Sequence, residues 1–374
     1  MKIALLSKPL VNGAYQTKCE ALAALPGVDL TVIVPPSWRE IGAWETALER
    51  RYTAGYRLIC TPIAFNGHHH VHFYPRLGGL LRAIQPDVFH VDEEPFNAAT
   101  FHAMWLGRRL GARLAFYTWA NIHRRLPPPF SLFERACYAW SGRAFAGNRA
   151  AAAILRAKGY RKPIDILPQF GIDPDLFQPA AARPDRPFTI GYLGRLVEAK
   201  GVQVLLRAVA RLRGDWRLVV AGAGAYQPAL AALATELGLG GRVAFRPQMP
   251  SSAVPEFYRS LDALAVPSLT TPAWKEQFGR VIIEAMACRV AVVGSDSGEI
   301  PHVIGDAGLV TPEGNPAALA AALQRLHDDP AERDRLAEAG RRHALAHYTQ
   351  AALAKQYYAA YQQLYAASPK GPCR

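Results

Sequence analysis

The sequence predicts an α/β protein built from two doubly wound parallel sheets. Short apolar β-like runs alternate with Ala- and Leu-rich helical runs, and this alternation occurs twice along the chain. The 374 residues are too many for one typical core and suit two domains of roughly 180 residues. Three prolines and few apolar residues mark the segment 177–187. We therefore predict domains at 1–178 and 188–345, joined by a linker at 179–187.

The first domain is predicted from seven β-like runs and the helical runs between them. Strands rich in Val, Ile and Leu are expected at 2–7, 30–35, 58–64, 88–92, 113–118, 144–147 and 164–168. Helices are expected at 17–25, 77–84, 98–110, 130–140 and 150–158. This alternation of strands and helical runs is typical of parallel sheets.

The second domain repeats the pattern. Strands are expected at 189–194, 217–221, 242–245, 263–267, 290–294 and 308–310, and helices at 202–212, 226–237, 254–260, 281–286 and 317–327. A last helix at 350–365 carries tyrosines on one face. We interpret that face as packing surface and predict that 346–374 is a helix packing back toward the first domain, followed by a tail.

Composition limits the classes of function. No apolar run reaches the ~18–20 residues that span a bilayer, and 1–6 is better explained as a first strand than as a signal peptide. The five scattered cysteines predict a reducing, cytoplasmic setting and no zinc site. The net charge of +13 indicates either an anionic partner, which could be membrane lipid, a phosphorylated glycan or nucleic acid, or a solvated Arg-rich surface.

Two carboxylates flank the start of a predicted helix. Glu276 and Glu284 lie eight residues apart, roughly 12 Å along a helix. A helix that begins near Gly279 would present free N–H groups, which suit a phosphate. One carboxylate could then hold hexose hydroxyls and the other ribose hydroxyls. The alternative is one capping and one buried glutamate.

Two cations follow the first strand of the second domain. Arg195 comes directly after Gly194 at the strand end, and Lys200 lies at the entrance of the next helix. Ligands of open α/β sheets bind outside these strand ends. An arginine fork and a lysine point charge would there neutralise a diphosphate and stabilise it as a leaving group.

These pieces together resemble the C-terminal half of glycosyltransferase family 4, which has the GT-B fold. The motifs in order are Gly194-Arg195-x4-Lys200-Gly201, Ala221–Gly224, Pro267-Ser268, Glu276-x7-Glu284 and Val292–Ile300. The resemblance implies two Rossmann-like domains facing across a cleft. It also implies a retaining transfer of a hexose from a nucleoside-diphosphate sugar to a glycan, lipid-linked or small-molecule acceptor.

The resemblance also assigns roles. Arg195 and Lys200 would hold the diphosphate, Glu276 the hexose and Glu284 the ribose. The other implied donor-binding residues are Gly13, Gly194, Phe278, Gly279, Ser297, Gly298 and Glu299. Such enzymes need no bound metal, because basic residues and helix dipoles replace the cation. No tightly bound cofactor is therefore expected.

The chain departs from the family pattern in places. Gln277 replaces a common glycine, and Arg280 puts a bulky charge beside the expected donor pocket. Before the next strand, where the family often has Ala-x-Gly, this chain has Cys288-Arg289. Pro247 replaces a usual glycine near the expected nucleobase position. None of these changes removes a charged contact.

Acceptor-side candidates follow strands of the first domain. Asp92 stands where relatives often have a second histidine, and Glu94 and Arg124 lie nearby or in a later strand-end loop. Relatives often have a His or Asp near Asn121, and His123 could substitute for it. A retaining front-face transfer needs no strong protein base, since a phosphate oxygen of the leaving group can take the acceptor proton.

Three alternatives complete the sequence-based analysis. The histidine-rich segment 68–72 suggests a metal at first, but no Cys or carboxylate lies beside it, so we favour a polar loop. A GT-B-fold nucleotide-sugar epimerase would keep the architecture and change the chemistry. A non-catalytic basic nucleic-acid- or lipid-binding protein would explain the charge, although no nucleic-acid motif appears and no nucleic acid is expected.

Overall fold

The computed structural model describes residues 1–39, 45–181 and 186–367. It consists of two compact units. The first unit contains Met1–Gly171 and Gln350–Arg374, and the second contains Ile172–Thr349. The division falls before the predicted linker at 179–187, and residues 182–185 of that linker and the tail 368–374 lie outside the described ranges.

The first unit is a parallel sheet with helices on both faces. Its strands are β1 (Lys2–Leu6), β2 (Asp29–Val34), β3 (Ser37–Arg39), β4 (Glu45–Ala47), β5 (Arg57–Cys60), β6 (Val88–Val91), β7 (Arg113–Thr118), β8 (Arg143–Ala146) and β9 (Ile164–Ile166). Its helices are α1 (Thr17–Ala23), α2 (Leu77–Ile84), α3 (Ala98–Arg109), α4 (Phe130–Trp140), α5 (Arg149–Ala157) and α13 (Gln350–Ala366). The strand order is β5-β2-β1-β6-β7-β8-β9, while β3 and β4 form a separate two-stranded antiparallel sheet.

The last helix completes the core of the first unit. Leu353, Tyr357, Tyr361 and Leu364 of α13 are buried against residues of β1, β2, β6 and α1. The predicted aromatic face is therefore a packing surface, except that Tyr365 is exposed. The opposite face of the sheet buries a second apolar cluster under α2 and α3.

The second unit repeats the doubly wound architecture. Its strands are β10 (Phe188–Leu193), β11 (Trp216–Ala221), β12 (Val243–Arg246), β13 (Ala263–Val266), β14 (Ala291–Ser295) and β15 (Leu309–Thr311). Its helices are α6 (Val202–Val209), α7 (Gln227–Glu236), α8 (Val254–Arg259), α9 (Arg280–Ala287), α10 (Ile300–Ile304), α11 (Pro316–Asp328) and α12 (Pro330–His347). The strand order is β12-β11-β10-β13-β14-β15, and the paired strands are parallel. The predicted α/β class with two doubly wound sheets is confirmed.

The order of strands positions a site at one edge of this sheet. The chain winds outward in one direction from β10 and in the other from β13, and these two strands are neighbours. Ligands of open α/β sheets bind in the crevice at such a reversal. We call the segments 194–201 and 267–279, which follow β10 and β13, the switch-point loops.

Three parts of the fold were absent from the sequence-based prediction. The antiparallel pair β3–β4, the short helix α10 and the long helix α12 have no counterpart in it. Predicted strands at 58–64 and 164–168 end earlier, at Cys60 and Ile166. No helix within the described ranges is both long and apolar enough to cross a bilayer.

Candidate functional site

Glycines let the switch-point loops come close together. A Cβ on Gly201, whose φ is +72°, would lie 1.8 Å from the carbonyl oxygen of Pro267. A Cβ on Gly222 would lie 1.9 Å from the carbonyl oxygen of Gly194. Side chains at these positions would therefore push the loops apart, so the sequence itself fixes their close approach.

Lys200 and Glu276 form an ion pair in these loops. Lys200 Nζ lies 2.6 Å from Glu276 Oε2, and the two side chains are 19% and 10% exposed. The Ser268 hydroxyl donates to the same carboxylate oxygen at 3.0 Å. The structure thus brings together Lys200, predicted to bind the diphosphate, and Glu276, predicted to bind the hexose. The charge of each side chain neutralises that of the other.

Arg195 contacts Tyr192 of β10 through its backbone. The Tyr192 hydroxyl donates to the Arg195 carbonyl oxygen at 2.8 Å, and the Arg195 side chain is exposed. Burial raises the pKa of Tyr192 well above its usual range, the Glu276 charge raises it further, and the Arg195 charge lowers it. Arg195 therefore presents an exposed cation on the same switch-point loop as Lys200.

Residues Ser297–Glu299 support the backbone of Glu276. The Glu299 N–H donates to the Glu276 carbonyl oxygen at 3.2 Å, so this amide already has a protein acceptor. A Cβ on Gly298, with φ +58°, would lie 2.0 Å from that same oxygen. The buried Ser297 hydroxyl lies 2.9 Å from that of Thr270. These contacts hold the Glu276 loop in place from the β14 side.

Glu284 has partners of its own. It lies on α9, where Arg280 Nε is 2.7 Å from Oε1 and the Tyr258 hydroxyl donates to Oε2 at 2.9 Å. Burial raises the pKa of Glu284, while the Arg280 charge and the Tyr258 hydrogen bond lower it. Gly279, with φ +77°, precedes α9, and the ring of Phe278 packs edge-on against Tyr348 at 5.6 Å.

The predicted acceptor-side carboxylates accept hydrogen bonds from other residues of the first unit. The Ser7 hydroxyl donates to Asp92 Oδ2 at 2.7 Å, and Asp92 Oδ1 is buried without a hydrogen-bond partner in the described chain. Glu94 accepts the Thr118 hydroxyl at 2.6 Å and the Trp119 N–H at 2.8 Å. Burial raises the pKa of Glu94, and these two hydrogen bonds oppose the shift.

The remaining first-unit candidates differ in exposure. Asn121 is buried, whereas His123 and Arg124 are exposed in the loop before α4. Gly13 is buried against another segment: its N–H donates to Glu49 Oε2 at 2.9 Å, and a Cβ there would lie 2.7 Å from that oxygen. Its predicted approach to a diphosphate stays a prediction.

The histidine-rich segment serves local structure. His72 Nε2 lies 3.2 Å from the buried Glu93 carboxylate. The same carboxylate forms an ion pair with Lys8 Nζ at 2.8 Å. His70 Nδ1 lies 3.1 Å from the Asn97 side-chain oxygen. Within the described part of the chain, no three His, Cys, Asp or Glu side chains converge as metal ligands.

Sequence reasoning missed several residues that hold the site. Ser268 was visible as the residue after the β13 strand end, but nothing in the sequence paired it with Glu276. Tyr258 is a buried aromatic residue whose hydroxyl donates to Glu284, and no pattern in the sequence indicates this contact. The indole of Trp274 lies 4.8 Å from Lys200 Nζ, and its position before Glu276 was the only signal.

Two family models match the chain. The model described as "Glycosyl transferases group 1" matches residues 175–343, and the model described as "Glycosyl transferase 4-like domain" matches residues 15–169. A D-inositol 3-phosphate glycosyltransferase of Salinispora tropica is 35% identical over an alignment of 175 residues that covers 43% of this chain and 35% of the relative. The match therefore spans about a third of that relative's length.

Solved structures show the same fold. A sucrose-phosphate synthase from Thermosynechococcus elongatus superposes with a TM-score of 0.72 at 22% identity, covering 98% of this chain and 100% of the other. The Anabaena protein HepE, solved in complex with UDP and glucose, gives 0.68 at 17% identity, covering 97% and 100%. At these identities the likeness establishes the fold, which is the two-domain GT-B architecture.

Proposed function

The chain belongs to the group 1 glycosyltransferases of family 4, and from this premise we propose that it transfers a hexose from a nucleoside-diphosphate sugar with retention. The observation that carries the proposal is the Lys200–Glu276 pair in the switch-point loops. Arg195 lies on the same loop as Lys200 and is exposed. A cation for the diphosphate and a carboxylate for sugar hydroxyls stand together at a strand-end crevice, where this fold class binds ligands. The acceptor would be a glycan, a lipid-linked sugar or a small molecule.

Electrostatic stabilisation of the leaving group would supply most of the rate. As the glycosidic bond breaks, negative charge grows on the diphosphate oxygens, and the cations of Lys200 and Arg195 would offset it. Once its ion pair with Lys200 is broken, Glu276 would accept hydrogen bonds from hydroxyls of the hexose. Glu284 would accept hydrogen bonds from hydroxyls of the ribose. The departing phosphate oxygen would take the acceptor proton, so the step needs no protein base.

Retention follows from same-face attack. The acceptor would approach from the side that the diphosphate leaves. Glu94, Asn121, His123 and Arg124 of the first unit are the residues we propose for contacts with the acceptor. Basic side chains would carry the charge that a metal carries elsewhere, so chelators should leave the rate unchanged.

A ligand panel and product analysis test this proposal. Nucleoside diphosphates and their hexose conjugates should raise the melting temperature, because a ligand that binds only the native state stabilises it. Turnover with an acceptor should release nucleoside diphosphate and give a product of unchanged anomeric configuration by NMR. Conversion of the free donor to an epimer without acceptor would instead support the epimerase alternative. Binding of nucleic acid or vesicles with no nucleotide-sugar effect would support the non-catalytic one.

We also propose that the enzyme is cytoplasmic and contacts an anionic membrane peripherally through the segment 122–135. His123, Arg124 and Arg125 are exposed there, and Leu132 of α4 is 56% exposed. Cations beside an exposed apolar side chain suit anionic headgroups, each cation adding about 1 kcal/mol near such a surface. Co-sedimentation with vesicles containing phosphatidylserine should fall in Arg124→Ser/Arg125→Ser, while the neutral-vesicle control stays low. Equal binding of the variant would rule out this segment.

A further inference from the structure

The residues before Glu276 form a small hairpin that ends in Trp274. The Thr271 N–H donates to the Trp274 carbonyl oxygen at 2.7 Å, and the Trp274 N–H returns to the Thr271 carbonyl oxygen at 3.3 Å. The Thr271 hydroxyl also accepts the Trp274 N–H at 3.0 Å. The tip between these two residues is exposed. The backbone of Trp274, and hence the position from which its indole extends, is therefore fixed by the hairpin.

The base of this hairpin is anchored to other strand-end loops of the second unit. The Leu269 N–H donates to the Ala199 carbonyl oxygen at 2.8 Å. The Thr270 N–H donates to Glu313 Oε2 at 2.7 Å, and the Thr270 hydroxyl lies 2.9 Å from that of Ser297. Three separate loops thus hold the hairpin, and none of these bonds involves Lys200 or Glu276.

The ammonium of Lys200 consequently has two partners of different kinds. Glu276 Oε2 lies 2.6 Å from Nζ, and the centre of the Trp274 ring lies 4.8 Å from it. The carboxylate is a partner that an incoming diphosphate can replace, because both are anions competing for one cation. The ring face is a partner that an anion leaves in place, since its attraction for the cation needs no hydrogen bond.

We propose that Trp274 is a positioning residue that holds the ammonium of Lys200 at the switch-point loops while Glu276 exchanges it for the sugar. Lysine has a long flexible stem whose rotamer entropy favours swinging into solvent once the carboxylate leaves. A cation–π contact of about 0.5–2 kcal/mol is large enough to oppose that loss. The inference rests on the proposed function, since it assumes that the displacing ligand is a diphosphate.

A double-mutant cycle separates positioning from the other roles that an indole can have. The measured quantity is the Kd of the tightest of UDP, ADP, GDP and dTDP, obtained by calorimetry. Trp274→Leu should weaken binding roughly 2- to 30-fold, the energy above converted at about 1.4 kcal/mol per decade. Trp274→Phe keeps a ring and should lose less. In a Lys200→Met background, Trp274→Leu should cost nothing further, because its partner is already gone.

Trp105 provides the matched control. It is 40% exposed in the first unit and its ring carries Arg109 at 4.9 Å, so Trp105→Leu removes a similar contact far along the chain from the switch-point loops. That variant should bind the diphosphate as the wild type does.

Each result is decisive. An unchanged Kd in Trp274→Leu, or an equal loss with and without Lys200, overturns the inference. A loss seen only with the nucleotide sugar and not with the diphosphate would make Trp274 a direct sugar contact, which also overturns it. If the wild type binds none of the four diphosphates, the proposed function itself falls. Binding with no effect of Trp274 sinks the positioning role alone.

Discussion

At the scale of single residues, Glu276 is proposed to have two successive partners, and its charge should affect two measurements in opposite directions. In Glu276→Gln the hexose loses a charged acceptor, worth about 1.5–3 kcal/mol, so kcat/KM should fall roughly 10- to 150-fold. The same change releases Lys200, so the bare nucleoside diphosphate should bind a few-fold more tightly. Calorimetry and initial rates measure both.

The control for this prediction is Glu256→Gln. Glu256 is exposed and pairs with Arg259 at 2.8 Å within α8, so neither binding nor rate should change. A parallel loss of diphosphate affinity and rate in Glu276→Gln would argue against the exchange of partners.

Tyr258 allows a pH-dependent test at the same scale. Tyr258→Phe removes the donor to a buried oxygen of Glu284 and should lower the free energy of unfolding by about 1–3 kcal/mol at pH 8. Because that hydrogen bond lowers the pKa of Glu284, its loss raises the pKa further. In the native state of the variant, Glu284 then takes up a proton at a higher pH than in the wild type. The loss of unfolding free energy caused by Tyr258→Phe should therefore become smaller as the pH falls toward 5.5. Urea unfolding at both pH values measures this.

Tyr365→Phe is the comparison for this variant, since Tyr365 is 42% exposed and should tolerate the change at either pH. A penalty in Tyr258→Phe that is the same at both pH values would mean that Glu284 is not the group that senses the lost hydroxyl.

At the scale of elements, the turn between β10 and α6 depends on a glycine for two reasons. Gly201 combines φ +72° with a Cβ position 1.8 Å from the Pro267 carbonyl oxygen, whereas Gly238 has φ +68° and open space around it. Gly238→Ala should cost about 1–2 kcal/mol from backbone strain alone. Gly201→Ala should cost more and also weaken diphosphate binding, because Lys200 is the preceding residue. Melting curves and calorimetry compare the two, and equal effects would contradict the close approach.

The elements also show what the sequence could and could not predict. Strand positions such as 88–92 and 263–267 were readable because buried parallel strands are continuous apolar runs. Helix α12 was missed because its buried residues, Leu336, Ala337, Gly340 and Ala344, are mostly small and lie among charged side chains, so they give a weak apolar signal. Strands β3 and β4 are too short to show a period. Contacts such as that of Lys200 with Glu276 depend on strand order, which no local pattern encodes.

At the scale of the whole molecule, the first unit is assembled from two distant pieces of chain. Residues 172–349 made alone should fold cooperatively. Residues 1–171 alone should lack the face that Leu353, Tyr357, Tyr361 and Leu364 cover. Each such side chain contributes about 1.5–3 kcal/mol on burial, and together they rival the 5–15 kcal/mol of a whole domain. Calorimetry of the fragments, with and without a peptide of 350–367, tests this. A cooperative transition of 1–171 without that peptide would contradict the expectation.

Helix α13 also sets a timetable for biosynthesis. The first 171 residues are synthesised early, but the helix that covers their core is synthesised only after the whole of 172–349. At 5–20 residues per second, that interval is on the order of 10–40 s. During it, an apolar sheet face lies open on the nascent polypeptide, so ribosome-associated chaperones should engage this protein early and release it only after α13 has been synthesised.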